Sequence, residues 1–135
     1  MKLFTHILLA LLLGICLFKE NVLFFAFLMM ASIIPDIDIH IPFVAHRGIF
    51  HSVTAGFLSS LIFIPFSLSL SLAFLLGYCF HLLADSLTKH GIRPFWPHPY
   101  KTNFGFITTG GVSEQVFAYL IFALLVVKVL SIVIA

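Results

Sequence analysis

Charge is what this 135-residue chain has least of: seven basic and five acidic side chains make up 9% of it, against 61% hydrophobic residues. With a mean hydropathy of +1.19, that scarcity excludes an ordinary soluble domain and makes the chain an integral membrane protein. Its cations are too few and too scattered for a nucleic-acid surface, so no stable nucleic-acid partner is expected, although a phosphodiester substrate stays open. Cysteine is equally sparse. Cys16 and Cys79 lie inside apolar stretches without Cys-x-x-Cys spacing and read as small packing residues, so they carry no information on redox compartment. There is no internal repeat and no linker, which leaves residues 1–135 as one domain. The start resembles a secretory signal, and Leu13-Gly14-Ile15-Cys16 a lipoprotein site. Ile15 is the wrong size before such a cysteine and the apolar character continues beyond it, so the segment is expected to remain as a helix.

Long apolar runs are abundant: Leu3 to Phe18, Val22 to Ile34, Val53 to Phe66, Leu68 to Ala84 and Val116 to Ala135. They predict an all-α, polytopic transmembrane bundle of about five helices. At 1.5 Å per residue the second run reaches only about 20 Å, short of a hydrocarbon core of roughly 30 Å, and is the weakest of the five as a full span. Ser67 to Leu72 alternates Ser and Leu; an open strand edge is forbidden in lipid, so a tight turn is expected there. With the N-terminus inside, Lys2, Arg47, Lys89, Arg93 and Lys101 fall on the cytoplasmic side and only Lys19 and Lys128 outside, as the positive-inside rule requires. The same assignment gathers all seven histidines on that face. Gly91 to Gly111, with Pro94, Pro97 and Pro99, is the one long irregular stretch, a kind of loop that often carries function.

Ionisable groups this costly beside lipid need a reason. His81 and Asp85 are four apart and share a helix face; they serve either as metal ligands or as a hydrogen-bonded pair holding helices together. Asp36 and Asp38 follow Pro35, and in an extended segment alternate carboxylates point to one side and converge on one cation; the alternative is a capped turn. His46 and His51 flank Arg47-Gly48, where Arg47 suits a phosphate through its planar fork or else anchors the chain at the interface. Ser52, Gly56 and Ser60 form a small-residue packing stripe. Glu114 opens the last helix, which the helix dipole alone would explain. His40, His90 and His98 read as interfacial. His6, inside an apolar run, is harder to dismiss. Together His6, Asp36, Asp38, His46, His51, His81, Asp85 and Glu114 offer enough donors on one face for two divalent ions or more.

In order and spacing, Pro35-Asp36-Ile37-Asp38, His46-Arg47-Gly48 with His51-Ser52, Gly77-Tyr78 followed by His81, Asp85, Leu87-Thr88, Gly91 and Trp96-Pro97, and Gly111 followed by Glu114 make a specific set. By these residues the chain resembles the YdjM-like family of predicted inner-membrane, metal-dependent hydrolases. It departs from that family's pattern at Ile39, where a histidine often follows the second aspartate, and at Phe50, where Thr often stands. The resemblance implies a hydrolase. A looser similarity to zinc-dependent phospholipase C and related nucleases implies His6, Asp36, His46, His81 and Asp85 as zinc ligands.

The expectation is therefore a membrane enzyme with two or more zinc ions at the cytoplasmic face, hydrolysing a phosphate ester or phosphodiester, a phospholipid being the natural substrate. Arg47 and Lys89 would hold non-bridging oxygens, and Asp38 or Glu114 would serve as general base. The competing class is a non-catalytic metal-binding or ion-conducting protein. Such a path needs polar residues through to the far side, where this chain offers little beyond Lys19-Glu20-Asn21 and small serines.

Overall fold

The computed structural model describes residues 1–43 and 46–134. Five α-helices account for most of them: α1 (Leu3–Leu17), α2 (Val22–Ala31), α3 (Val53–Leu61), α4 (Leu68–Ser86) and α5 (Val112–Ile134). Two 3-10 helices, Ile34–His40 and Ile49–His51, join α2 to α3. Starts are set by local chemistry. Asn21, Ser52 and Ser67 each accept a backbone N–H of the first turn, capping α2, α3 and α4. Ser67 is thus a cap and Leu68 to Leu72 already helix, so the turn expected at Ser67 to Leu72 lies instead at residues 62–66. There, bonds to residues three back, such as Phe63 N to Ser60 O, tighten the chain before Pro65, which has no N–H to give.

The lengths depart from expectation too. Residues Val22–His40 run on as 19 helical residues, long and on average apolar enough to cross a membrane, because Pro35 enters at the first turn of the 3-10 helix, where a proline's missing N–H costs nothing. Leu68–Ser86 and Val112–Ile134 also qualify as spans. The short helices are α1 with 15 residues and α3 with 9. A second difference concerns Asp36 and Asp38, which lie on a 3-10 helix rather than in an extended segment. At three residues per turn, positions two apart point in different directions, so the carboxylates diverge.

Helix α4 is the axis of the bundle, packed by α2, α3 and α1. Contact is close where side chains vanish: a Cβ on Gly77 would stand 2.1 Å from the Leu28 carbonyl oxygen, so α2 and α4 meet backbone to side. The Ser52-Gly56-Ser60 stripe packs as anticipated, with Gly56 under the Tyr78 ring and Ser71 Oγ donating to Ser60 O at 2.8 Å. Phe74, Tyr78 and Leu82 of α4 pack with Ala31 and Ile92, while Leu8 and Leu9 of α1 pack with Ile121 and Leu125 of α5. Each helix runs opposite to the one before, so the start of α1, the end of α2, the start of α3 and the end of α4 meet at one end. The loop after α4 folds over that end through Phe104 N to Ser86 O and Ile107 N to Leu87 O.

Candidate metal centre

At this end the bundle closes on polar groups instead of hydrocarbon. His6, Asp38, His51, His81, Asp85 and Glu114 are all buried. Asp36 Oδ1, His51 Nε2, His81 Nε2 and Asp85 Oδ2 offer donor atoms within 4.8 Å of one another. His51 Nε2 stands 3.2 Å from His81 Nε2 and 3.4 Å from Asp36 Oδ1. His81 Nδ1 is 2.8 Å from the Ser32 carbonyl oxygen, which can only accept, so that nitrogen carries the ring proton and Nε2 is bare. The Nδ1 of His51 faces Asp38 Oδ2 at 3.1 Å, off the line of a good hydrogen bond but near enough to draw the proton to that side. Two imidazole lone pairs and two carboxylates therefore point at one another. A cation among them turns that mutual repulsion into attraction, as Arg47, 3.1 Å from Asp85 Oδ2, does on one side.

The two aspartates each present a second oxygen to His6. Its Nε2 lies 3.5 Å from Asp85 Oδ1 and 3.8 Å from Asp36 Oδ2, and its ring stacks on His81 at 3.9 Å between centroids. Both carboxylates thus span two neighbouring donor groups, one with His51 and His81 and one with His6, the arrangement by which paired ions share bridging ligands. The Met1 ammonium pairs with Asp85 Oδ1 in the second group, a positive charge on the oxygen that faces His6. Both His6 nitrogens, His51 Nδ1 and Asp85 Oδ2 are buried without a well-aligned hydrogen-bond partner. Each such group costs about 1–3 kcal/mol if left so, and ligation would remove that cost. The donor set, imidazole and carboxylate in a closed pocket, fits zinc or a similar divalent ion.

Asp38 forms a separate group with His46 and His51. Its Oδ1 is 2.7 Å from His46 Nδ1, and its Oδ2 accepts the Arg47 N–H at 3.0 Å. It grips three neighbours of the 46–51 turn. His46 is the outlying member, its side chain 42% exposed. Arg47 sits in left-handed backbone, φ 63°, a conformation that costs a non-glycine residue about 1 kcal/mol or more and that its contacts must hold. Those contacts are Asp38 on its N–H, Asp85 Oδ2 at 3.1 Å from NH2, and Thr88 Oγ1 and Gly91 O on NH1. Gly91 has φ +62°, and a Cβ there would meet the Thr102 carbonyl oxygen at 2.3 Å, so only glycine lets the loop bring its own carbonyl to Arg47.

Glu114 joins neither donor group. Its Oε1 accepts Lys2 N and Thr5 Oγ1, and its Oε2 accepts Gly110 N at 2.6 Å, so it caps the start of α1, which has no side-chain cap of its own, and ties α5 to it. His40, His90 and His98 are exposed, as is Lys89. Sequence reasoning gave no supporting role to three groups, although Tyr78 and Thr88 stood among its motif residues. The Ser32 carbonyl on His81 is a backbone contribution that residue type does not signal. The Tyr78 hydroxyl donates to the Phe50 carbonyl and steadies the turn that carries His51; its place three residues before His81 on α4 was the available hint. Thr88, one turn beyond Asp85, locks Arg47.

A family model described as YdjM inner membrane protein matches residues 1–135. The chain belongs to that family. With three helices long and apolar enough to span, it is an integral inner-membrane protein. No curated protein and no solved structure matches the chain.

Proposed function

We propose that this member of the YdjM family is a metal-dependent hydrolase of phosphate esters or phosphodiesters, with a membrane lipid as substrate and with its site at the cytoplasmic face. The observation that carries the reading is the convergence of His51 Nε2, His81 Nε2, Asp36 Oδ1 and Asp85 Oδ2, with His6 behind the same two carboxylates. Two ions, most simply zinc, would be held by His51 and His81 on one side and His6 on the other, sharing Asp36 and Asp85. The chemistry such ions supply is Lewis acidity, which brings a water toward ionisation near neutral pH and offsets charge on phosphoryl oxygens.

The chain's own residues do the rest. Asp38 accepts a hydrogen bond from His46 Nδ1 and leaves Nε2 of this part-exposed ring free to exchange a proton at the cleft, where in its protonated form it would serve as general acid toward a leaving oxygen. Arg47, with Asp85 on one side and the Gly91 carbonyl on another, fixes Asp85 and presents positive charge at the inner wall of the cleft. Asp38 is in this reading an orienting residue rather than a ligand, and Glu114 a cap. The cytoplasmic assignment rests on five of the seven cations lying at this end of the chain's topology.

Metal analysis of the purified protein tests it directly. Wild type is expected to hold zinc or a related ion, to cleave a model phosphodiester, and to lose both on chelation. His81→Ala and Asp36→Ala are each expected to lose most bound metal. Full metal content in both variants would end the proposal.

A further inference from the structure

Outside the donor cluster lies a cleft of about 370 Å³ lined by His46, Arg47, His90, Arg93, Trp96 and Lys101, together with Gly48, Gly91 and Ile92. No acid lines it. The backbone explains how its cations come together. Ile92 and Thr102 exchange both backbone hydrogen bonds, N to O at 3.0 and 2.9 Å, as an antiparallel pair. That bridge brings the flanking residues Arg93 and Lys101 to the same cleft, which both line. Like charges gathered in one cleft repel, and among the described residues neither side chain has a carboxylate partner. Arg47, at the inner wall, is by contrast already paired with Asp85. The loop is held in this unfavourable arrangement by Gly91 at its turn and by Val53 N to Pro94 O, which pins it to the start of α3.

We propose that this cleft binds a phosphate group of the ligand, with Arg93 and Lys101 as its unneutralised cations and Arg47 as the link to the donor cluster. An arginine fork and a lysine point charge on one anion suit the several oxygens and the double charge of a phosphate better than a single carboxylate. Trp96, about two-fifths exposed, lines the same cleft, and tryptophan is a side chain enriched at the level of lipid headgroups. The phosphate belongs either to an anionic lipid headgroup or to a soluble phosphate compound. The inference rests on the hydrolase reading only for the site's purpose; binding itself does not require metal.

Trp96 is the chain's single tryptophan, so its emission reports this cleft alone. The full-length protein in neutral detergent, with His81→Ala as a background that removes the metal, is titrated with inorganic diphosphate and, separately, with mixed micelles of phosphatidic acid or of phosphatidylcholine. A saturable change in Trp96 emission is expected with at least one phosphate probe and not with phosphatidylcholine. A response to phosphatidic acid alone assigns the lipid; a response to diphosphate assigns the soluble group. Arg93→Gln with Lys101→Gln is expected to weaken the response at least tenfold while wild-type metal content, measured without His81→Ala, is kept as proof of fold. No saturable response to either probe, or equal affinity in the double variant, overturns the cleft. Loss of hydrolysis and metal in His81→Ala with the Trp96 response intact would separate the two readings.

Discussion

Helices α4 and α5 are both long enough and apolar enough to cross a membrane, yet they live in different solvents. Helix α4 is enclosed by three neighbours and buries Gly77, Tyr78, His81 and Asp85, whereas α5 packs on α1 and leaves most of its surface, including Leu124, Val127 and Leu130, exposed. Lipid accepts α5 as it stands because most of its outward residues are hydrocarbon. The polar stripe of α4 is tolerable only because protein supplies the partners that lipid cannot. In this chain the helix that carries both His81 and Asp85 is the central one, and the most apolar of the three candidate spans, α5, is peripheral.

The strongest test of that contrast is Asp85→Asn on α4. It takes a charge away from Arg47 and the Met1 ammonium together, and removing one partner from buried ion pairs costs about 3–5 kcal/mol. A large drop in thermal midpoint with loss of bound metal is expected; near wild-type stability would mean these groups are well solvated. Next comes Gly77→Val, which forces α2 from α4 at Leu28 and is expected to cost about 1–3 kcal/mol in denaturant titrations, with metal affinity falling because Asp36 and His81 separate. Glu114→Gln sharpens the comparison from the α5 side. As a cap it should cost about 1 kcal/mol and leave metal content intact, whereas loss of metal would make it a ligand, as the sequence alone suggested. Smallest is Leu130→Ala on the outer face of α5, expected to move stability by less than about 0.5 kcal/mol.

Much of this was legible beforehand because membrane solvent makes residue type decisive. Five apolar runs gave five helices, and His81 with Asp85 at helical spacing gave one wall of the site. His6 was recognisable as a misfit in an apolar run. What hydropathy did not carry was backbone conformation between helices. Reading Pro35-Asp36-Ile37-Asp38 as extended put both carboxylates on one cation; the 3-10 turn sends Asp36 to the shared centre and Asp38 to His46 and the far nitrogen of His51. Likewise, nothing in the identities of Arg93 and Lys101 announces that the Ile92–Thr102 bridge brings them to one cleft. Glu114 was visible as a first-turn acid, but its partners on α1 lie a whole chain away.

Because Asp36 and Asp85 each reach toward histidines on two sides, the centre has a history as well as a geometry. His6 leaves the ribosome first, and its carboxylate neighbours follow only as later helices are threaded into the bilayer, Asp85 with α4. A cation arriving early finds one imidazole; arriving late, it finds a finished cage. If the centre holds an ion as proposed, loading would belong to the end of biosynthesis, and the ion would fasten the earliest helix to one of the last.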